Sequence, residues 1–290
     1  MPGRRVRRRL IHGPGERAFP AGRGARTTMR EKISACITAF NEEDNIRRCL
    51  ESVRWCDEII VVDSFSTDRT VAISREYTDR VYQHEWRGYI GQKNLIRGMA
   101  QHPWILFVDA DEEVSPALRE EILARFDAGT DPYVGFQFPR MVYYLGRWIR
   151  HGEWYPDIKL RLFKKECGHS EGQEPHDRVA VRGPVLTLRA PLYHYTYQGL
   201  HDHLETMNRY STISAQEKHR QGEKFRWCDM LFRPSWRFIK AFFLQGGCLD
   251  GPPGFIIALI SAFGVYMKYA KLWALQGTAR AARRPEETST

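Results

Sequence analysis

The chain has 290 residues, 42% apolar and 27% charged, enough to bury about three quarters of its unfolded surface around one large core or two fused lobes. That composition excludes wholesale disorder, collagen, coiled coil and a disulfide scaffold. The net charge of +9 is local: residues 1–28 hold eight Arg and one Glu, and the other 262 carry 36 basic and 34 acidic side chains. The body therefore has no strong field, and no nucleic-acid partner is expected.

The six Cys (Cys36, Cys49, Cys56, Cys167, Cys228, Cys248) form no CxxC pair and have no His at zinc-ligand spacing, so free thiols are expected. Residues 1–28 lack the apolar run of a signal peptide and the Ser of a transit peptide, and read as a disordered Arg-rich tail. An upstream-start artefact before Met29 or a dispensable arm accounts for it, with an anionic-lipid or nucleic-acid arm as the functional rival.

From Lys32 onward short apolar runs alternate with helical ones in the order β-α-β-α-β-α-β, the signature of a mostly parallel sheet flanked by helices. Strands are predicted at 33–40, 58–62 and 104–108. Helices are predicted at 43–53, from the Ser66-Thr67-Asp68 cap to about 75, and at 89–100. Ser115-Pro116 starts a capped helix whose inner face is Leu118, Ile122 and Phe126.

After Gly135 the segments turn extended, aromatic and basic. In 157–165, Ile158, Leu160 and Leu162 are predicted to pack, with Lys159, Arg161 and Phe163 facing a cleft. A helix over 199–222 has Leu200, Leu204 and Met207 as its apolar stripe. The thirteen residues 255–267 carry no charge, fewer than the about 20 that a spanning helix needs. Upstream, Arg233, Arg237 and Lys240 share one helix side and Trp236, Ile239 and Phe243 another, a membrane-surface pattern whose rival is a pair of core helices.

Ligands of open α/β sheets bind beyond the carboxyl ends of the strands. Three polar clusters fall there: Asn41-Glu42-Glu43, Asp63-Ser64 and Asp109-Ala110-Asp111. The D-x-D carboxylates, with Glu112 and Glu113 beside them, offer hard oxygen ligands suited to Mg²⁺ or Mn²⁺, an ion usually completed by phosphate oxygens. A solvated acidic turn capping the next helix is the plain alternative. No GxGxxG or GxxxxGK[ST] loop is present, so Lys93, Asn94 and Arg161 are the candidates for holding phosphates.

The segments ITAFNEEDNIRRCLESV, DEIIVVDSFSTDRT and WILFVDADEEVSP resemble the nucleotide-sugar half of family 2 glycosyltransferases, which have the GT-A fold. YPDIKLRLFKK, EPHDRV, YHYTYQGL, NRYS and GGCLDGPPGF resemble its lipopolysaccharide core biosynthesis glucosyltransferase subgroup. The resemblance covers about 32–272. It implies an α/β GT-A fold with a C-terminal acceptor- and membrane-associating helical extension. The corresponding divisions are a tail at 1–28, a nucleotide-sugar half at 29–130, an acceptor half at 131–222, an amphipathic helical region at 223–280 and a tail at 281–290.

By that resemblance Asp63 holds the donor's uracil, Asn41 and Glu43 belong to the nucleotide loop, Lys93 lies near the diphosphate, and Asp109 and Asp111 form the metal-diphosphate motif. Asp177 stands where the subgroup usually has a Glu after His176 as catalytic base, one methylene shorter, with Glu174 and Asp157 as fallbacks. Lys159 and Arg161, with Lys164, Lys165 and Arg178 nearby, are expected to meet acceptor phosphates, and His176 to orient the acceptor. The implied activity is metal-dependent, inverting transfer of a hexose from a nucleotide sugar, UDP-linked, to a lipid-linked saccharide, by a peripheral protein on the inner face of the bacterial cytoplasmic membrane. Transfer to a polyprenyl phosphate, a sugar-1-phosphate nucleotidyltransferase and a non-catalytic basic-arm binding protein are the alternatives.

Overall fold

The computed structural model describes residues 30–174 and 176–281, without the side chains of Gln173, His176 and 278–281. The tail at 1–28, nearly all of that at 281–290 and the His176 side chain lie outside the described residues.

Seven elements build the first half: β1 (Ile33–Ala39), α1 (Ile46–Ser52), β2 (Glu58–Asp63), α2 (Thr70–Ser74), β3 (Val81–Gln83), α3 (Gly88–Met99) and β4 (Trp104–Asp109). The strands pair in parallel in the order β3-β2-β1-β4, so the order reverses between β1 and β4. Their near-continuous apolar runs follow from cover on both faces: α1 packs Ile46, Cys49 and Leu50 on one side, α3 packs Ile96 on the other. The α1 helix starts three residues later than its periodicity predicts, because the Glu43 carboxylate accepts the Arg69 amide at 3.0 Å and holds that stretch as a loop.

The short β5 (Glu112–Val114) leads into α4 (Pro116–Asp127), whose Ser115 Oγ accepts the Leu118 amide at 3.1 Å. Leu118, Ile122 and Phe126 form its buried face, as the spacing predicts. Then come β6 (Gly135–Tyr144), β7 (Arg147–Trp148), β8 (Asp157–Lys164), β9 (Gly168–Gln173), β10 (His176–Val181), β11 (Val185–Thr187) and β12 (Leu192–His194). β8 joins β4 antiparallel, and the sheet continues through β6 and β12 to β5; β9 and β10 form a separate hairpin.

Two predicted faces differ from the structure. On β8, Phe163 is fully buried against Phe107 while Ile158 is 41% exposed, because only Leu162, Phe163 and Lys164 pair with β4 and the earlier residues lack that neighbour. On α5 (Leu200–Arg220) the buried positions are His203, Ser211 and Ala215; Leu200 and Leu204 are exposed, and of the predicted stripe Met207 alone reaches α7 (Gly251–Ala281), beside Gly264.

Between them α6 (Trp227–Ile239) buries none of its residues, and runs through one wider helical turn to Leu244. Phe232 is 72% exposed, and Trp236, Phe243, Leu244 and Leu249 are also exposed. α7 adds Phe255, Leu259, Phe263 and Trp273 to the exposed apolar residues. The 31 residues Gly247–Gly277 are long and apolar enough to cross a membrane by length and composition, more than the uncharged run indicates, since Lys268 and Lys271 fall inside the helix.

The largest fully buried side chain is Trp104, which contacts Phe126 and Phe136 at ring distances of 5.1 and 5.3 Å and donates its Nε1–H to Glu31 at 3.0 Å. Trp104→Ala is expected to destabilise the chain by about 3–5 kcal/mol, through lost burial plus the cavity left behind, read as a lower urea midpoint with an unchanged slope.

Candidate active site

Pairing register brings the three polar clusters to one edge. Ala39 faces Asp63 across β1 and β2, and Thr38 faces Asp109 across β1 and β4. Asn41, in the left-handed region at φ 53°, accepts the Thr67 amide at 2.8 Å through Oδ1 and donates its own amide to Ser66 Oγ. Asp63 is fully buried and accepts from the Ser66 amide at 2.8 Å, the Ser66 hydroxyl, and Gln83 Nε2 at 3.1 Å. Asn41, Glu43 and Asp63 thus fasten the loop after β1 to the loop after β2. The cavity beside them, about 710 Å³, is lined instead by Phe40, Glu42, Ser64, Trp86, Tyr89 and Asp111, among others.

A second cavity of about 570 Å³ lies on the β6–β8 side and takes in Lys93, Arg140, Lys159, Arg161 and Asp177. The two meet at Tyr89, Asp109 and His194, which line both. That junction is held by charge. Asp109 Oδ2 accepts from Arg161 Nη2 at 2.6 Å, and Lys93 Nζ lies 3.2 Å from Asp109 Oδ1. Arg161 also donates to Glu112 at 2.9 Å, and Arg140 joins Glu112 at 3.2 Å to Asp157 at 2.7 Å. Burial pushes the Asp109 carboxyl up, but Arg161 and Lys93 outweigh it and hold the group well below the usual carboxylate range.

Lys93 is buried on α3 and donates to Asp177 Oδ2 at 3.0 Å, so one ammonium bridges the D-x-D turn and the expected base. Asp177 sits on β10, with Ser170 Oγ at 3.3 Å from the same oxygen. The hairpin is fixed to α3 by reciprocal bonds between Asn94 and Ser170 at 2.8 and 2.9 Å, and by Arg97 to the carbonyls of Lys165 and Gly168 at 2.9 Å. Glu174 accepts the amides of Tyr89 and Ile90 at 3.0 Å, capping the same helix. Gly88 permits this contact: its φ is +80°, and a Cβ there would lie 2.5 Å from Glu174 Oε1.

The remaining expected residues are placed unevenly. Lys159 and Arg178 both line the second cavity, paired with Asp157 at 3.1 Å and Glu171 at 2.9 Å, whereas Lys164 and Lys165 are engaged with Asp131 and the Ala100 carbonyl away from it. Arg161 lines that cavity, but its guanidinium is taken by Asp109 and Glu112.

His194 went unassigned in the sequence although it lies in YHYTYQGL. The antiparallel pairing of β12 with β5 sets it opposite Glu112, and its Nε2 lies 3.0 Å from Asp111 Oδ2. Its Nδ1 is buried without a hydrogen-bond partner among the described residues, which leaves Nε2 as the nitrogen facing the cavity. Asp111 and His194 fit a divalent cation that takes two protein ligands and completes its shell from a phosphate; no three or more His, Cys, Asp or Glu are arranged to hold a metal among the described residues.

Held below its unfolded value, the Asp109 carboxylate contributes stability that is present above about pH 4 and lost as the pH falls further. Arg161→Met leaves the buried Glu112 and the partly exposed Asp109 with one cation fewer. The expected outcome is a loss of about 3–5 kcal/mol in urea melts and an acid-unfolding midpoint moved to higher pH, followed by circular dichroism.

The sequence model of Glycosyl transferase family 2 matches residues 34–184. The lipopolysaccharide core biosynthesis glycosyltransferase LpsC of Rhizobium meliloti (strain 1021) is 32% identical over 248 residues, covering 83% of this chain and 92% of that protein. An uncharacterized glycosyltransferase of Rickettsia typhi is 32% identical over 263 residues, with 86% and 89% covered. Among solved structures, the mannosyltransferase PcManGT from Pyrobaculum calidifontis in complex with GDP-Man and Mn²⁺ superimposes with a TM-score of 0.45 at 16% identity, covering 89% of this chain and 77% of that one. The parallel β3-β2-β1-β4 sheet with its antiparallel continuation, opening at a D-x-D turn, is a GT-A fold. The chain belongs to glycosyl transferase family 2 and is a glycosyltransferase.

Proposed function

We propose that the chain transfers a hexose, with inversion, from a UDP-linked sugar to a lipid-linked saccharide of the lipopolysaccharide-core type. The observation that carries this reading is the pair of cavities joined at Asp109 and His194: one beside the ends of β1 and β4 for the donor, one over β6 and β8 for the acceptor. The likeness to LpsC over most of both chains supports the acceptor class.

In this reading Asp177, at the acceptor-side wall, takes the proton of the attacking hydroxyl. Lys93, between Asp109 and Asp177, is placed to meet a diphosphate oxygen, while Arg161 and Arg140 keep the D-x-D turn in position. Asn41, Glu43 and Asp63 shape the nucleotide end by holding its two loops together, and Lys159 meets the acceptor. His176 remains an acceptor-side expectation. Asp111 and His194 would hold Mg²⁺ or Mn²⁺, which supplies charge neutralisation on the leaving diphosphate.

Calorimetric titration of UDP into the full chain should give binding that requires Mn²⁺ and is abolished in Asp111→Ala. Asp177→Asn should keep UDP binding and lose about 10²–10⁴-fold in kcat for transfer; full turnover by that variant would remove the base.

The exposed aromatic and aliphatic residues of α6 and α7, with Arg233 and Lys240 among them, support a peripheral site on the inner face of the cytoplasmic membrane, where a lipid-linked acceptor is met in two dimensions. Replacing Phe232 and Trp236 together by Glu should abolish co-sedimentation with vesicles containing anionic lipid and leave UDP affinity unchanged.

A further inference from the structure

A third cavity, about 360 Å³, lies between α5, α6 and α7, away from the D-x-D turn. Its volume is in the range of small-molecule sites, about 300–1,000 Å³. Tyr210 of α5 lines both this cavity and the acceptor-side cavity, so the two share a wall. The lining is mixed: Trp154, Met207, Ile260 and Val265 form its apolar part, Ser211, Ser214 and Lys268 its polar part, and Ser261 and Arg237 both bond to Glu153. His203 adds no charge, since burial lowers it to about 4 and its Nδ1 is hydrogen-bonded to the Tyr144 hydroxyl at 2.8 Å.

Three cations gather on the buried Tyr269 ring, next in sequence to Lys268 but not itself part of the lining. Lys268 Nζ, Lys218 Nζ and Arg233 Cζ lie 5.0, 6.0 and 5.9 Å from the Tyr269 centroid. Lys218 is paired with Glu223 at 2.5 Å, Arg233 with Asp229 at 2.6 Å, and Arg237 with Glu153 at 2.6 Å. Lys271, one turn along α7, donates to Asn208, Ser211 and Thr212. Lys268 alone of these has no hydrogen bond or ion pair among the described residues, although it is half-buried and faces the cavity. Burial first, then the neighbouring Lys218, Arg233 and Arg237, lower its pKa, against a smaller opposite pull from Glu223.

We infer that this cavity is an anion subsite that takes a phosphate group of the lipid-linked acceptor, with Lys268 as its principal contact, while the hydroxyl to be glycosylated lies beyond Tyr210 in the acceptor-side cavity. The inference rests on the lipid-linked reading of the acceptor. An apolar groove of about 500 Å³ on the opposite face of α7, lined by Phe238, Ile239, Leu259 and Phe263, is where an acyl chain reaching round the helix from a phosphate so held would lie.

The test is calorimetric titration of inorganic phosphate, and of a short-chain phosphatidic acid below its micellar concentration, into the full chain with the donor site filled by excess UDP. Wild type, Lys268→Gln and Lys268→Arg are compared. The expected result is that both probes bind, that phosphatidic acid binds more tightly, that Lys268→Gln weakens both about tenfold with UDP affinity unchanged, and that Lys268→Arg recovers most of the loss. Equal affinity for the two probes would assign the site to free phosphate and overturn the lipid-linked occupant. Binding indifferent to Lys268→Gln, or no binding to a chain that takes up UDP, would overturn the subsite. A chain that fails to bind UDP yet binds phosphatidic acid through Lys268 keeps the subsite and removes the donor reading instead.

Discussion

A carboxylate half-withdrawn from water at the end of a buried parallel strand is met by cations, and at Asp109 that requirement draws in most of the site. Arg161 comes from β8, Lys93 from α3, and Glu112, which shares Arg161, from the strand that follows the turn. Removing ions from water costs several kcal/mol each, so such a network adds less to net stability than its many contacts suggest. Its effect here is geometric. Four separate elements are tied to one point, and the positions of Arg140 and Asp157 follow from the same bonds.

Around that point the molecule divides by chemistry. The sheet interior is apolar, from Ile33 and Ile37 through Val61 to Leu106 and Phe138, and needs no polar partner. The carboxyl edge is charged and opens on cavities to either side. In the C-terminal helices α5 meets α7 through Met207 beside Gly264, Ser211 and Ala215, while Phe232, Trp236 and Phe255 face outward. A surface built this way matches an apolar environment outside the protein better than water.

Much of the first half was legible because its signals are local. A buried strand announces itself by a run such as EIIVV, and α4 by Ser115-Pro116 followed by apolar residues every fourth position. The D-x-D turn is read the same way. The site's third dimension is not local. His194 meets Asp111 only because two three-residue strands pair across some eighty residues, and nothing near either one encodes that. The basic face expected on β8 counted Arg161 as free, since partners on β4 and β5 are invisible to a period-two pattern. The stripe on α5 was read from its leucines, whereas close helix packing had selected a serine and an alanine.

Lys93 and the cap that Glu174 places on α3 have a dynamic consequence. The helix bearing Lys93 and the hairpin bearing Asp177 are joined at three levels, by Glu174, by Asn94 with Ser170 and by Arg97. They therefore move as a single rigid body, and breathing of the sheet carries lysine and carboxylate together without altering the gap between them. Adjustment to substrates of different size falls to the walls outside that body: Trp86 before α3 and Tyr210 on α5.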